Sequence, residues 1–470
     1  MNINKINLQS RLSVMAAIVA MALSWLCFAV SAQAPDSVAA PPKTEVTVPT
    51  PKADAPKPSV AITTPKPATS TAPKAVAPKP AADSVAKTPK SSDQLVVSLL
   101  TCSPGPEIYE LYGHEAIRVK GEGRDSVWNF GVFNFNEPNF VYRFVKGETD
   151  YMCVGYPTEW FIPEYAERGS RVVEQELNLS QEEARKLLTM LQTNALPENR
   201  VYRYNYVKDN CATRIWRMME AASDKEVTYP DSIRYGTFRN EMRAYNQNYP
   251  WYQFGIDIAL GSGIDVPITA KDEMYVPMEM ERMIGGAKFA DGRPVVKATR
   301  VLNEGVADAT LPPTPWWFGP MFWCSLVAAI LVCVCIYDLS RKGITRWIYS
   351  LWFFILGIAG CVVTFLVFVS KHEATSPNIL ILWLNPLQLI MAAAVWKQKK
   401  RTLPRELARY NIAVLLVVMG VWAWQGQSTN PALFPLMGAT WIMSLVYAII
   451  ARKDSYNYYR STGSYRSRLP

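Results

Sequence analysis

The 470 residues contain two histidines. One of them, His114, stands in the run Tyr112-Gly113-His114-Glu115-Ala116-Ile117-Arg118-Val119. Further along comes Asp209-Asn210-Cys211-Ala212-Thr213-Arg214. Imidazole takes and returns protons near neutral pH, and a thiol beside such a base becomes a nucleophile. The pair therefore predicts cysteine-nucleophile chemistry with His114 as base and Cys211 as attacking atom. Cys102 is the rival thiol, but the Ser103-Pro104-Gly105 that follows it is no ordinary helix start.

Local elements must bring these residues together. Ala116–Lys120 alternates as a strand, Gly121-Glu122-Gly123-Arg124 reads as a turn, and Ser126–Phe133 reads as a returning strand. If that hairpin closes across Gly121 and Arg124, Asn129 falls diagonally from His114 on the same face, within side-chain reach. It is then the third member of the site, accepting from one ring nitrogen so that the other faces the thiol. Glu115 ranks lower because a strand points it to the opposite face. Asn210 is a favoured N-cap, and Ile215, Met218, Met219 and Ala222 recur at helical spacing, which predicts a helix opening at Cys211. Its dipole and free N–H groups would favour a thiolate and could receive an oxyanion.

Composition says where this chemistry sits. Residues 1–34 carry Lys5 and Arg11, an apolar run from Leu12 to Val30 and then small residues, the layout of a secretory signal or signal anchor. Residues 35–93 are rich in Pro, Ala, Lys, Thr and Val and lack aromatics, so they read as an extended, unfolded tether. Residues 94–310 read as one domain. Residues 311–452 hold five apolar runs near 318–337, 347–369, 379–396, 410–425 and 432–450, and a basic tail follows at 453–470. Arg341, Lys342 and Arg346, then Lys397 to Arg409, then Arg452 to Arg468 crowd alternate connections, whereas the intervening ones hold little beyond Lys371. The positive-inside rule puts the tail in the cytoplasm and the 94–310 domain outside, in agreement with the signal segment. The net charge of +9 thus lies largely in the tether and inner loops and calls for no nucleic acid. No metal is expected, since two distant histidines and scattered cysteines lack ligand spacing. Cys102, Cys153 and Cys211 are an odd set for an oxidising compartment, which leaves open whether Cys102 and Cys153 pair. His372 falls in the short outer loop, where it is either an interfacial polar residue or part of a lipid-binding site with Asn378 and Asn385.

The order of histidine-bearing strand before cysteine-opened helix resembles the circularly permuted branch of the NlpC-type papain-like superfamily. More closely, Tyr112 to Arg118, Asn129-Phe130-Gly131-Val132-Phe133, Leu177-Asn178-Leu179-Ser180, Asn210 to Arg214 and Gly255 to Gly261 together resemble the Lnb periplasmic domain. The stretch from His372 to Leu389 resembles the membrane part of the same family.

The resemblance implies an α+β papain-like periplasmic domain followed by an all-α bundle of five transmembrane helices in a bacterial inner membrane. It implies a lipoprotein N-acyltransferase that needs no cofactor. Its donor would be a phospholipid, and its acceptor the α-amino group of a diacylglyceryl-cysteine lipoprotein. On that reading Cys211, His114 and Asn129 are catalytic, and Tyr112, His372, Asn378 and Asn385 contact substrate. Two other functions stay open: a peptidoglycan amidase or peptidase on a membrane anchor, and a non-enzymatic envelope assembly factor. Five helices weigh against the first, since one anchor would suffice.

Overall fold

A computed structural model describes residues 94–133, 138–306, 311–397, 402–422 and 424–461, with side chains up to Ala451. The expected signal segment, the tether and the end of the basic tail lie outside the described residues.

The 94–306 region is built on an antiparallel seven-stranded sheet in the order β6-β4-β3-β2-β1-β5-β9. Its strands are β1 (Val96–Cys102), β2 (His114–Gly121), β3 (Arg124–Val132), β4 (Asp150–Pro157), β5 (Val172–Leu177), β6 (Val201–Arg203) and β9 (Val296–Asn303). β7 (Val227–Thr228) and β8 (Lys288–Phe289) form a separate ribbon. The helices are α1 (Phe140–Lys146), α2 (Thr158–Glu167), α3 (Gln181–Asn194), α4 (Cys211–Ala222), α5 (Phe238–Tyr245), α6 (Pro250–Ala259) and α7 (Pro277–Gly286).

Side chains alternate across a strand, so the central strands supply two cores. Leu99, Ile117, Val119 and Phe130 face α3, α4 and α7, meeting Leu187, Ile215, Met219 and Met283. Leu100, Ala116, Val127 and Val172 face α2, meeting Phe161 and Tyr165. Leu99, Ile117 and Phe130 are fully excluded from water, and each such side chain contributes about 1.5–3 kcal/mol on burial. The β2–β3 hairpin pairs Gly121 with Arg124. Its two central residues, Glu122 at φ 51° and Gly123 at φ 74°, make the left-handed turn that matches strand twist.

The C-terminal part contains α8 (Pro320–Arg341), α9 (Arg346–Phe368), α10 (Leu387–Ala394), α11 (Thr402–Val421) and α12 (Leu433–Ser461). Among the described residues three stretches are long and apolar enough to cross a membrane: Pro320–Arg341, Arg346–Phe368 and Leu433–Ala451. The third apolar run becomes the shorter segment Ile379–Ala394, broken where Asn385 Oδ1 accepts from the Leu387 amide at 3.1 Å. The fourth becomes α11, whose opening carries Arg405, Glu406 and Arg409 and so reads as less apolar. These two segments are clasped by a buried amide pair: Gln388 Nε2 donates to Asn411 Oδ1 at 2.8 Å, and Asn411 Nδ2 returns a bond at 3.2 Å. Such pairs hold apolar helices in register.

The sheet domain docks on one end of this bundle. Gly261 N donates to Ala374 O at 2.8 Å and Asn378 Nδ2 donates to Ile258 O at 2.9 Å. Arg243 reaches Ser428 Oγ at 2.9 Å and Asn430 Nδ2 reaches Asp257 at 3.2 Å. The loops at 370–378 and 428–430, which sequence reading put on the outer side, are the ones that carry the domain.

Candidate active site

Cys211 is the first residue of α4. The chain starts a helix there because Asn210 Oδ1 accepts from the Thr213 amide at 2.9 Å while Thr213 Oγ1 accepts from the Asn210 amide at 2.7 Å. This reciprocal cap satisfies two otherwise orphaned donors. Asn210 Nδ2 also donates to Tyr206 O and to Tyr275 O, at 3.0 and 2.8 Å, fixing the helix start to two loops. Arg214 then spans Asp209 at 2.8 Å and the Tyr202 ring at 3.7 Å.

His114 is the first residue of β2, opposite Cys102 of β1. Gly113 before it adopts φ +76°, and a side chain there would meet Cys102 O at 2.5 Å, so only glycine admits this entry to the strand. The last β2–β3 pair is Ala116 with Asn129, after which β3 runs through an irregularity between Asn129 and Val132 in its pairing with β4. Asn129 Oδ1 lies 2.7 Å from His114 Nε2, and Asn129 Nδ2 donates to the Tyr156 hydroxyl at 3.1 Å. With Nδ2 so committed, the oxygen faces the ring, and the imidazole carries its proton on Nε2. Nδ1 is thereby left as the basic nitrogen. Tyr165 stacks on the imidazole, with centroids 5.8 Å apart and planes 8° from parallel.

The backbone amides of Glu115, Ala212 and Cys211 itself lie close to the Cys211 sulfur and favour its thiolate. The Glu115 amide belongs to the residue after His114, so the start of α4 meets the His114 end of β2 beside the thiol. No direct hydrogen bond joins the two side chains. Gly131 passes beside the thiol, where an added side chain would meet only Cys211 Cβ, at 3.9 Å.

Burial dominates the electrostatics. It pushes the Cys211 thiol up to about 11, against the opposing effect of the three amides. It pushes His114 down to about 4, although the Asn129 bond acts the other way and Arg168 adds a small repulsion. Thiol and imidazole are therefore both neutral at pH 7, whereas the helix start alone predicted a thiolate. Desolvating the charged form outweighs the helix dipole here. Both residues are nonetheless only half-buried.

The other candidates have definite places. Cys102 is fully buried, its thiol pushed well up by burial and then by Glu115, so no substrate reaches it. Cys102 and Cys153 are separate free thiols. Glu115 points away from His114, is fully buried and takes a bond from Thr101 at 3.0 Å; burial raises its carboxyl well above the usual range. Tyr112 donates to Asn246 Oδ1 at 3.1 Å behind the site. His372 Nε2 is 2.8 Å from Phe144 O, Asn378 is buried between Ile258 and Gln427, and Asn385 Nδ2 caps Ile381 and Leu382. These four side chains are thus engaged within the protein. Among the described residues no group of His, Cys, Asp or Glu is placed to hold a metal ion. Sequence reading missed Tyr156, Tyr165 and the Glu115 amide, because β4 and α2 reach the site only through sheet pairing.

No curated protein and no solved structure matches the chain. Two family models do: the Lnb N-terminal periplasmic domain matches residues 85–240 and the Lnb transmembrane domain matches residues 313–455. Together they take in well over half of the chain, one spanning His114 and Cys211 and the other spanning the helical bundle. The chain is a member of the Lnb family, a membrane protein with a periplasmic domain.

Proposed function

We propose that this protein moves a fatty acyl chain from a phospholipid, through a thioester on Cys211, to the α-amino group of a diacylglyceryl-cysteine lipoprotein. What supports the reading is the half-buried thiol opening α4 where that helix meets β2, the strand whose first residue, His114, has its Nε2 fixed by Asn129. In the first half-reaction the thiol proton passes to His114 Nδ1 as sulfur attacks the ester carbonyl. The amides of Cys211 and Ala212, at the start of α4, would receive the oxyanion. The intermediate collapses, and the departing lysophospholipid oxygen takes the proton back. In the second half-reaction the amine attacks the thioester and gives its proton to His114, which returns it to the leaving sulfur.

A resting pair without charge suits this chemistry, and half-burial limits the water that could hydrolyse the acyl-thioester. Docking on the bundle favours lipid over wall polymer, because both proposed substrates are held in a bilayer. In this reading the bundle makes five passages through the inner membrane with a cytoplasmic tail, the short 379–394 segment and α11 being two of them. His372, Asn378, Asn385 and Tyr112 then act at the outer mouth by holding the loop and strand that frame the substrates.

The test incubates membranes with a phospholipid labelled in its acyl chain and looks for a hydroxylamine-labile label on the Cys211 peptide, alongside Cys211→Ser. Label on the wild type only, and lipoproteins lighter by one acyl chain in cells carrying the variant, are expected. Altered wall fragments in those cells, or no change of either kind, would overturn the reading.

A further inference from the structure

A run of aromatic rings leads from the thiol to the membrane domain. Burial first, and then the nearby Cys211 sulfur, pushes up the hydroxyls of Tyr151, Tyr202 and Tyr204, that of Tyr151 to about 12. Tyr151 stacks on Tyr204 at 4.2 Å and meets Phe133 at 4.8 Å. Phe133 stacks on Phe140 at 5.7 Å, Phe140 on Phe144 at 6.4 Å, and Phe144 meets His372 at 6.0 Å.

Phe140 and Phe144 belong to α1, in which no residue is buried; Val141 is 74% exposed and Tyr142 54%. Apolar exposure this concentrated marks a contact surface. α1 is pinned to the outer end of α9, where Lys371 N donates to Lys146 O and Ser370 Oγ donates to Val145 O, each at 2.8 Å, and Tyr142 packs on Phe365 at 6.0 Å. Between the two helices lies an open groove of about 830 Å³, with Phe140, Val141 and Val145 on one wall and Cys361, Val362 and Phe365 on the other. The second wall belongs to a helix long and apolar enough to cross a membrane, so the groove opens sideways onto hydrocarbon. Near α1, Arg143 and Arg203 flank Asp150 at 3.2 and 2.9 Å, and Lys146 and Lys371 flank Glu148, both at 2.9 Å. Four cations around two carboxylates leave a positive belt, suited to a phosphodiester at the level of lipid headgroups.

We propose that the α1–α9 groove seats one acyl chain of a membrane phospholipid, its phosphate under the Arg143–Lys146–Arg203–Lys371 belt, and that the aromatic run guides the ester from there to Cys211. This deepens the acyl-transfer reading and rests on it for the destination, though not for the groove. A water-facing protein partner is disfavoured because one wall belongs to a membrane-spanning helix.

The experiment places the full chain in phospholipid vesicles doped with a phosphatidylethanolamine carrying a diazirine in one acyl chain, then irradiates and maps adducts by peptide mass spectrometry. Adducts concentrated on 140–146 and 361–365, and the same adducts in Cys211→Ser, are expected. Val141→Glu alters an exposed side chain and should leave thermal unfolding unchanged while cutting these adducts by roughly tenfold, because a charge is disfavoured beside hydrocarbon. It should also raise KM for the lipid more than it lowers kcat. Adducts spread evenly over all membrane helices, or undiminished by Val141→Glu, would overturn the groove. Groove adducts without any Cys211 thioester would sink the acyl-transfer reading and leave the groove standing.

Discussion

The neutral pair at the site gives the sharpest prediction. Cysteine enzymes with a preformed thiolate–imidazolium pair alkylate rapidly at neutral pH, because their thiols ionise well below the ordinary value. Here burial carries the Cys211 thiol from 9.0 up to about 11 and His114 from 6.5 down to about 4. Each unit is a factor of ten, so at pH 8 the thiolate fraction is about 100-fold below that of an unperturbed cysteine. The assay follows carboxyamidomethylation of the Cys211 peptide by iodoacetamide in solubilised protein between pH 6 and 11. Peptide-level readout keeps Cys333 and Cys361, both exposed along the bundle, from confusing the result. The rate should climb through the whole range, without a plateau near neutrality. Rapid alkylation levelling off by pH 7 would refute the claim that desolvation outweighs the helix start and its three amides.

Turnover should persist well below pH 6, since His114 stays neutral until about pH 4; kcat/KM measured with a labelled phospholipid should show its acid limb there, and a limb near 6.5 would count against the buried imidazole. Asn129→Ala removes the bond that raises His114, so the limb should move to lower pH while kcat falls by about 10- to 100-fold through loss of ring orientation. Gly147 holds φ +74°, and a side chain there would meet His372 N at 3.1 Å, so Gly147→Val should loosen the 370–372 loop, read as faster proteolysis at Lys371 and slower transfer. Asn411→Leu strands the buried Gln388 amide at a cost of about 1–3 kcal/mol, which thermal unfolding should register, with the double change to leucine at 388 and 411 milder than the single one.

Much of the site was legible because it depends on short-range rules. The turn residues Glu122 and Gly123 set the hairpin register, and that register alone carries Asn129 to the His114 side of the strands. Asn210 and Thr213 announce the start of α4. The thiol's ionisation was not legible. A helix start is a local feature, but the dryness around Cys211 comes from Tyr151, Tyr202 and Tyr204, on strands and loops distant in sequence. Likewise Tyr156 and Tyr165 reach the Asn129–His114 pair only after β4 and α2 close over that face.

The sequence by itself determined the elements that carry His114, Asn129 and Cys211, the apolar runs of the C-terminal part and the family, because residue type and periodicity act locally. Tertiary structure decided three further matters. It buried Cys102 and left Cys211 accessible. It made three of the five apolar runs into helices long and apolar enough to span a membrane. It also set the charge state of the thiol–imidazole pair, since desolvation depends on which distant parts of the chain surround a group and no local pattern encodes that.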